Sequence, residues 1–199
     1  THTRAILPLL IHCCLSGSAY SQSIDVLVAQ SLEFSRQQLS RTVSELRDSA
    51  VYADSIFPRS TDRITGRWGP KLPGHWASGF LPGCLWHMYE WTSDGTWKNW
   101  AVEWTLRLAD QQFRTTDHEA GFILPPSYGN GYRLTNDTTY RRALIQAARS
   151  LATRYNSVVG CVRSWQTLHF PVIIDGMVAI RLLWWASKET GDTTLYAKA

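Results

Sequence analysis

The sequence predicts an all-α fold, an α/α toroid of inner and outer helices of which this chain supplies about half the ring, and three observations predict it. Three segments repeat one another: Thr92-Ser93-Asp94-Gly95-Thr96-Trp97, Thr135-Asn136-Asp137-Thr138-Thr139-Tyr140 and Thr190-Gly191-Asp192-Thr193-Thr194-Leu195. Their Asp residues lie 43 and 55 positions apart, near the repeat lengths of helical-pair architectures. Each segment follows an apolar, aromatic-rich stretch and precedes an amphipathic one, and no stretch shows a convincing strand pattern.

Read in order, the chain opens on residues outside this fold. Arg4 precedes the apolar run Ala5 to Leu15, and small residues follow up to Ala19-Tyr20-Ser21. That is the order of a secretory signal, too short to cross a bilayer, so residues 1–21 are expected to be removed and the protein secreted. The toroid part is expected over 22–199. Ile24 to Val51 reads as one long helix with Val26, Leu27, Leu32, Leu39, Val43 and Leu46 on its apolar face. Residues 52–78, rich in Gly, Pro, Arg and Trp, read as a long loop.

The helical pairs come next. Phe80 to Trp91, Phe122 to Leu134 and Val172 to Trp185 are apolar almost all round, as inner helices buried on every side would be. Trp97 to Phe113 and Tyr140 to Tyr155 carry apolar residues at helical spacing on one face, as outer helices would. Asp94, Asp137 and Asp192 stand where N-caps belong, their carboxylates placed to accept from the open amides of the next helix. The third pair ends at Ala199, and a closed ring would need more pairs. About half the domain is therefore expected here, and self-association to complete it is left open.

Composition bounds the function. With 44% hydrophobic and 18% charged residues the 199-residue chain is one globular domain, not a disordered tail. Its formal charge of +4 is spread without the Lys/Arg run of a nucleic-acid-binding tail, so neither nucleic acid nor membrane is expected as a partner. Ten Trp, eight Tyr and six Phe admit two readings, a filled core or a cleft whose flat walls stack on sugar rings. Beyond Cys13 and Cys14, the chain has Cys84 and Cys161, readable as one disulfide or as two buried free thiols. No CxxC or Cys/His ligand spacing appears, and no metal or other cofactor is expected. The sequence also has no GxSxG, Walker loop, GxGxxG or HExxH.

Two carboxylates stand where core packing fits badly. Asp175 interrupts Phe170-Pro171-Val172-Ile173-Ile174-Asp175-Gly176-Met177, and Glu119 precedes Ala120-Gly121-Phe122-Ile123-Leu124. An acid in an apolar setting must be paired, act as a cap, or hold its proton at raised pKa, and the last suits a general acid. The plain alternative for Asp175 is an N-cap to Met177 or Val178. For Glu119, as for Asp117, it is complementing a helix dipole. His118 reads either as a turn residue satisfied by backbone or as a group orienting a carboxylate. Trp68, Trp76 and Trp165 sit beside Gly, Pro or polar residues, which suits a sugar platform better than Trp184 and Trp185 inside an apolar run.

Five segments in order, Trp76-Ala77-Ser78-Gly79-Phe80-Leu81-Pro82-Gly83, His118-Glu119-Ala120-Gly121-Phe122, Tyr132-Arg133-Leu134-Thr135, Phe170-Pro171-Val172-Ile173-Ile174-Asp175 and Ala186-Ser187-Lys188-Glu189-Thr190-Gly191-Asp192, resemble glycoside hydrolase family 88, the unsaturated glucuronyl hydrolases. The resemblance implies an (α/α)6 toroid with six inner and six outer helices, and removal of a 4,5-unsaturated uronic acid from the non-reducing end of lyase-generated oligosaccharides. It implies that an acid protonates C4 of the vinyl ether, that water adds at C5, and that the resulting hemiketal opens and releases the sugar.

Carried over by motif, Asp175 falls on the principal acid/base and Glu119 on its partner carboxylate. His118 falls on the motif's His, and Trp76 and Trp165 near aromatic positions that bind the sugar. The family usually has Asp at the position of Glu119, and often Asn at that of Ala179. Two other readings stand beside this one, an unsaturated rhamnogalacturonyl hydrolase and a non-catalytic helical-repeat protein that binds a glycan or a partner.

Overall fold

A computed structural model describes residues 23–48 and 56–199; the expected signal segment, with Cys13 and Cys14, lies outside the described residues. Contacts divide the chain at Arg41/Thr42, within the helix α1 (Ile24–Asp48). In the stretch up to Arg41, Val26, Leu27 and Phe34 are exposed. In the unit Thr42–Ala199, Val43 and Leu46 are buried. The apolar face expected along all of α1 is therefore buried only at its C-terminal end, and Ser49 to Val51 lie outside the described residues.

The loop expected over 52–78 contains a correction. Among its described residues, β1 (Phe57–Thr61) and β2 (Trp68–Lys71) pair antiparallel, with a bulge between Pro58 and Ser60. The turn is tied by Asp62, whose Oδ1 accepts from the amides of Ile64 (3.0 Å) and Thr65 (2.7 Å). Pro58 and Pro70 hide the strand signal, because proline is uncommon within sheets except at edges and bulges. Phe57, fully buried, anchors the hairpin edge-on to Trp104 at 5.4 Å.

Three helical pairs follow, as expected. Inner α2 (Phe80–Thr92) turns into outer α3 (Gly95–Leu106), α4 (Ala120–Leu124) and α5 (Asn130–Thr135) turn into α6 (Thr138–Ala152), and α7 (Gly176–Thr190) turns into α8 (Thr193–Lys198). Each joint is the same device. The Thr hydroxyl donates 2.7 Å back to a carbonyl four residues earlier, Met88, Gly131 or Ala186. The next residue, Ser93, Asn136 or Gly191, takes a left-handed conformation with φ of 57°, 56° or 75°. Then the Asp carboxylate accepts from the amide two residues on, Thr96 (2.8 Å), Thr139 (2.8 Å) or Thr194 (3.0 Å), and starts the outer helix. The repeat legible in the sequence is thus a stop and a start written in five residues.

The second inner helix is not uniform. Pro125 and Pro126 lack amide hydrogens, so α4 passes through a π-helical turn, Pro125–Gly129, before α5. The Ser127 hydroxyl donates to the Ile123 carbonyl at 2.6 Å, and the Asn130 amide donates to the Pro126 carbonyl at 2.9 Å, satisfying groups the irregular turn leaves open. A second short hairpin, β3 (Tyr155–Asn156) with β4 (Cys161–Val162), follows α6.

Two glycines let the backbone around α4 be gripped on both sides. A Cβ on Gly121 would stand 2.3 Å from Ala179 Cα in α7, and one on Gly79 would stand 2.2 Å from the Ile123 carbonyl oxygen. Gly79 belongs to the 3₁₀ turn Trp76–Gly79. Ala179, where the family often has Asn, is fully buried in this contact. Burial on every side, expected of the inner helices, fails for α7: Met177, Val178 and Trp184 are 60%, 41% and 49% exposed. Three helical pairs leave that flank without a facing helix among the described residues. Cys84 and Cys161 are free, Cys84 exposed and Cys161 half-buried, which corrects the buried or disulfide-bonded readings.

Replacing Gly121 by Ala forces α4 and α7 apart and is expected to cost about 1–3 kcal/mol by overpacking. For a chain of this size that lowers the melting temperature by roughly 2–4 °C per kcal/mol, measurable by circular dichroism.

Candidate functional site

The contact between α4 and α7 brings two helix starts together, and the predicted residues stand on them. His118 and Glu119 immediately precede α4, and Asp175 immediately precedes α7. Neither carboxylate caps its helix with its side chain. The Met177 and Val178 amides take the carbonyls of Ile174 (3.1 Å) and Asp175 (2.9 Å) instead. The capping alternative for Asp175 is thereby removed.

His118, 1% exposed, is the centre of the site. Its amide (3.1 Å) and its Nδ1 (3.0 Å) both reach the Ser164 carbonyl. A carbonyl only accepts, so Nδ1 carries a proton and Nε2 is the nitrogen turned to Asp175, 3.2 Å from its Oδ2. That contact lies within ion-pair distance but outside hydrogen-bond alignment, which leaves Nε2 without a formal hydrogen-bond partner. Asp175 Oδ1 is also buried and unpartnered, although the side chain as a whole is 39% exposed. Trp165 and Phe122 meet the imidazole edge-to-face at 5.3 and 5.9 Å and hold its plane.

Ser164 ties these parts into one framework. Its amide donates to the Pro171 carbonyl at 2.8 Å, and its hydroxyl accepts from the Ile173 amide at 3.2 Å. Asp175 lies two residues beyond Ile173. The same strand-like segment pairs Trp165 with Asp117 in an isolated antiparallel bridge.

Glu119 is set in a different electrostatic field. Arg114 forks onto both oxygens of Asp117 and also donates to Glu119 Oε2 at 3.3 Å, while Asp117 Oδ1 accepts the Glu119 amide at 2.9 Å. Asp117 thus serves the turn and the arginine. Burial alone would raise the Asp117 carboxyl, but the Arg114 fork, the Glu119 amide and the Thr116 hydroxyl outweigh it and hold it below its ordinary value. Burial, and then the Asp117 charge, push the Glu119 carboxyl up; Arg114, His118 and a hydrogen bond from Trp165 pull the other way without cancelling them.

Of the predicted binding residues, Trp165 stands at the site, 38% exposed, with its ring on His118. Trp76, 42% exposed, packs against His75 and Phe80 at 5.4 and 5.9 Å, on the 3₁₀ turn that abuts Ile123. Trp68 lies in β2, its amide 3.4 Å from a Glu45 oxygen. Arg114 and Ser164 were not found by sequence reasoning. Arg114 lies three residues before Asp117 outside any helix, so no periodic signal marks the pair, and Ser164 acts largely through its backbone.

No family model matches the chain. It is 39% identical over 142 residues, 68% of its length and 35% of the relative's, to an unsaturated glucuronyl hydrolase of Formosa agariphila. An unsaturated chondroitin disaccharide hydrolase of Streptococcus pneumoniae is 34% identical over 168 residues, 80% of this chain and 42% of that one. A solved unsaturated glucuronyl hydrolase described as specific for heparin superposes with a TM-score of 0.76 at 35% identity over 85% of this chain and 44% of its own. The chain belongs to the unsaturated glucuronyl hydrolase family. It spans less than half the length of these family members and corresponds to their N-terminal half, which agrees with three helical pairs of an α/α toroid.

Arg114→Gln removes the cation that lowers both acids, so the Asp117 and Glu119 carboxyls are expected to titrate at higher pH, followed by carbon-13 NMR of the side-chain carboxyls. A depressed acid contributes stability above its unfolded pKa, about 3.9 for Asp, and that contribution is lost as pH falls through its folded value. Removing the depression at Asp117 is expected to move the acid-unfolding midpoint of the variant upward.

Proposed function

We propose that the protein acts as a glycoside hydrolase on 4,5-unsaturated uronyl oligosaccharides, with Asp175 as general acid/base. The observation that carries this reading is the His118–Asp175 pair. With Nδ1 committed to Ser164, Nε2 faces Asp175 Oδ2 across 3.2 Å, within ion-pair distance, while Oδ1 has no protein partner. A carboxyl so held can give a proton to C4 of a vinyl ether. As a carboxylate it can then take one from the water that adds at C5. The hemiketal formed at C5 opens and releases the sugar, so the bond breaks through hydration of the double bond and the proton lent by Asp175 is returned.

Glu119 is the partner carboxyl. Its raised pKa keeps it protonated to higher pH than an ordinary glutamic acid, which suits it to donate a hydrogen bond to the uronate or to the ring oxygen. The extra methylene relative to Asp lengthens its arm, and Arg114 and Trp165 hold the end of that arm. His118 orients Asp175, and the exposed ring of Trp165 offers the sugar a flat face, with Trp76 a second such face nearby in sequence to the inner helices. The names of the relatives, glucuronyl and chondroitin disaccharide hydrolases, favour a uronyl over a rhamnogalacturonyl substrate. Secretion belongs to the same reading and is supported by the leader-like order of residues 1–21.

Activity is read in the full-length protein as loss of the ultraviolet absorbance of the C4=C5 bond of an unsaturated disaccharide. Asp175→Asn is expected to lower kcat by about 10²–10⁴, and equal activity in both proteins sinks the assignment. In the wild type, kcat/KM is expected to fall as pH rises through the raised Glu119 pKa. Glu119→Gln should lose that limb while keeping the fold.

A further inference from the structure

We propose that the cavity between the end of α6 and the β3–β4 hairpin is an oxyanion site, taking a sulfate- or carboxylate-sized group between Arg154 and Arg163. The cavity has a volume of about 290 Å³, and Arg154, Arg163, Thr115, Asn156, Gln166 and Phe170 line it. That is at the low end of ligand pockets, about 300–1,000 Å³, and suits a small charged group with some water better than a whole oligosaccharide.

The two arginines there lack a counter-charge in ion-pair contact. Arg154, 8% exposed, donates from Nε to the Arg163 carbonyl at 2.9 Å and from Nη1 to the Thr115 carbonyl. Arg163 donates from Nη2 to the carbonyls of Thr167 and His169, the latter at 2.8 Å, and its guanidinium lies 5.5 Å from the Phe170 ring centroid. All of these acceptors are neutral. No carboxylate among the described residues forms an ion pair with either arginine. The buried Nη2 of Arg154 and the buried Nε of Arg163 have no hydrogen-bond partner. Asp117 is the acid whose field reaches Arg154, but both its oxygens are already engaged by Arg114. Burial pushes the Arg154 pKa down; Asp117 opposes this, and Arg163 and Arg114 add to it.

A buried cation is normally paired, and two guanidiniums opening on one polar cavity call for an anion. The planar guanidinium fork fits the oxygens of a sulfate or carboxylate. This assignment stands apart from the hydrolytic reading, because binding is measured without turnover. Two sources share the chemistry, a free inorganic oxyanion and an anionic substituent carried on a sugar.

Isothermal titration calorimetry of the full chain at constant ionic strength tests the proposal, first with sodium sulfate and then with sulfated and unsulfated forms of one saturated disaccharide, which lacks the C4=C5 bond and is not turned over. Gln166→Glu decides, because Gln166 is exposed and the change places a negative charge on the cavity lining; Arg163→Gln is the second variant. Saturable one-site binding is expected, weakened at least tenfold in Gln166→Glu and in whatever Arg163→Gln protein folds. Tighter binding of the sulfated sugar than of its unsulfated twin, by a factor lost in Gln166→Glu, supports a sugar-borne group. Equal binding of the two sugars together with variant-sensitive sulfate binding supports a free oxyanion. The proposal is overturned if neither sulfate nor the sulfated sugar binds saturably, or if Gln166→Glu leaves the binding unchanged.

Discussion

The contact of Gly121 with Ala179 is the constraint on which the rest of the site depends. With no Cβ at 121, the backbones of α4 and α7 meet at a distance that any side chain would forbid. Helices that close cannot slide freely past one another, so the residues just before each start are brought into register. His118 and Asp175 meet across 3.2 Å for that reason. Gly79 applies the same logic from the other side, seating a 3₁₀ turn on the Ile123 carbonyl. The prolines that follow prevent α4 from continuing as a regular helix, and Ser127 and Asn130 repair the break.

Within that frame, the two carboxyls beside His118 are treated differently. Asp175 is tied to the imidazole and keeps one oxygen without a protein partner. Glu119 is balanced between Asp117, which repels its charge, and Arg114, which attracts it, in a setting where burial is the largest influence. Two acids in one site with different surroundings can take different roles in proton transfer. Ser164 joins the two halves, because its carbonyl fixes the tautomer of His118 while its amide and hydroxyl hold the segment leading to Asp175.

Charge satisfaction is uneven around this frame. Arg114 is paired with two acids, Asp117 and Glu119, whereas the hydrogen bonds of Arg154 and Arg163 go to neutral carbonyls. The acid cluster of 114–119 and the uncompensated basic pair are joined through Thr115, whose carbonyl accepts from Arg154 Nη1. The flank of α7 is likewise uneven, with large apolar side chains exposed beside the buried row of Ala179, Leu182, Leu183 and Ala186.

The sequence by itself determined the helical pairs and their joints. A Thr, a residue able to turn left-handed and an Asp act on amides within a few residues, so local chemistry suffices. It also marked Asp175 and Glu119 as misplaced in apolar surroundings, since the cost of burying such groups is a property of the residue. Only the tertiary structure decided that Asp175 faces His118 and does not cap α7, because both are locally reasonable and the choice is made by a residue 57 positions away. The β1–β2 hairpin, the Arg114 fork and the Ser164 carbonyl were hidden for related reasons: prolines mask the strands, the fork lies outside any periodic element, and a backbone oxygen leaves no mark in a sequence. Burial of the inner helices was overestimated because hydrophobicity records what a segment would bury, while packing partners decide what it does bury.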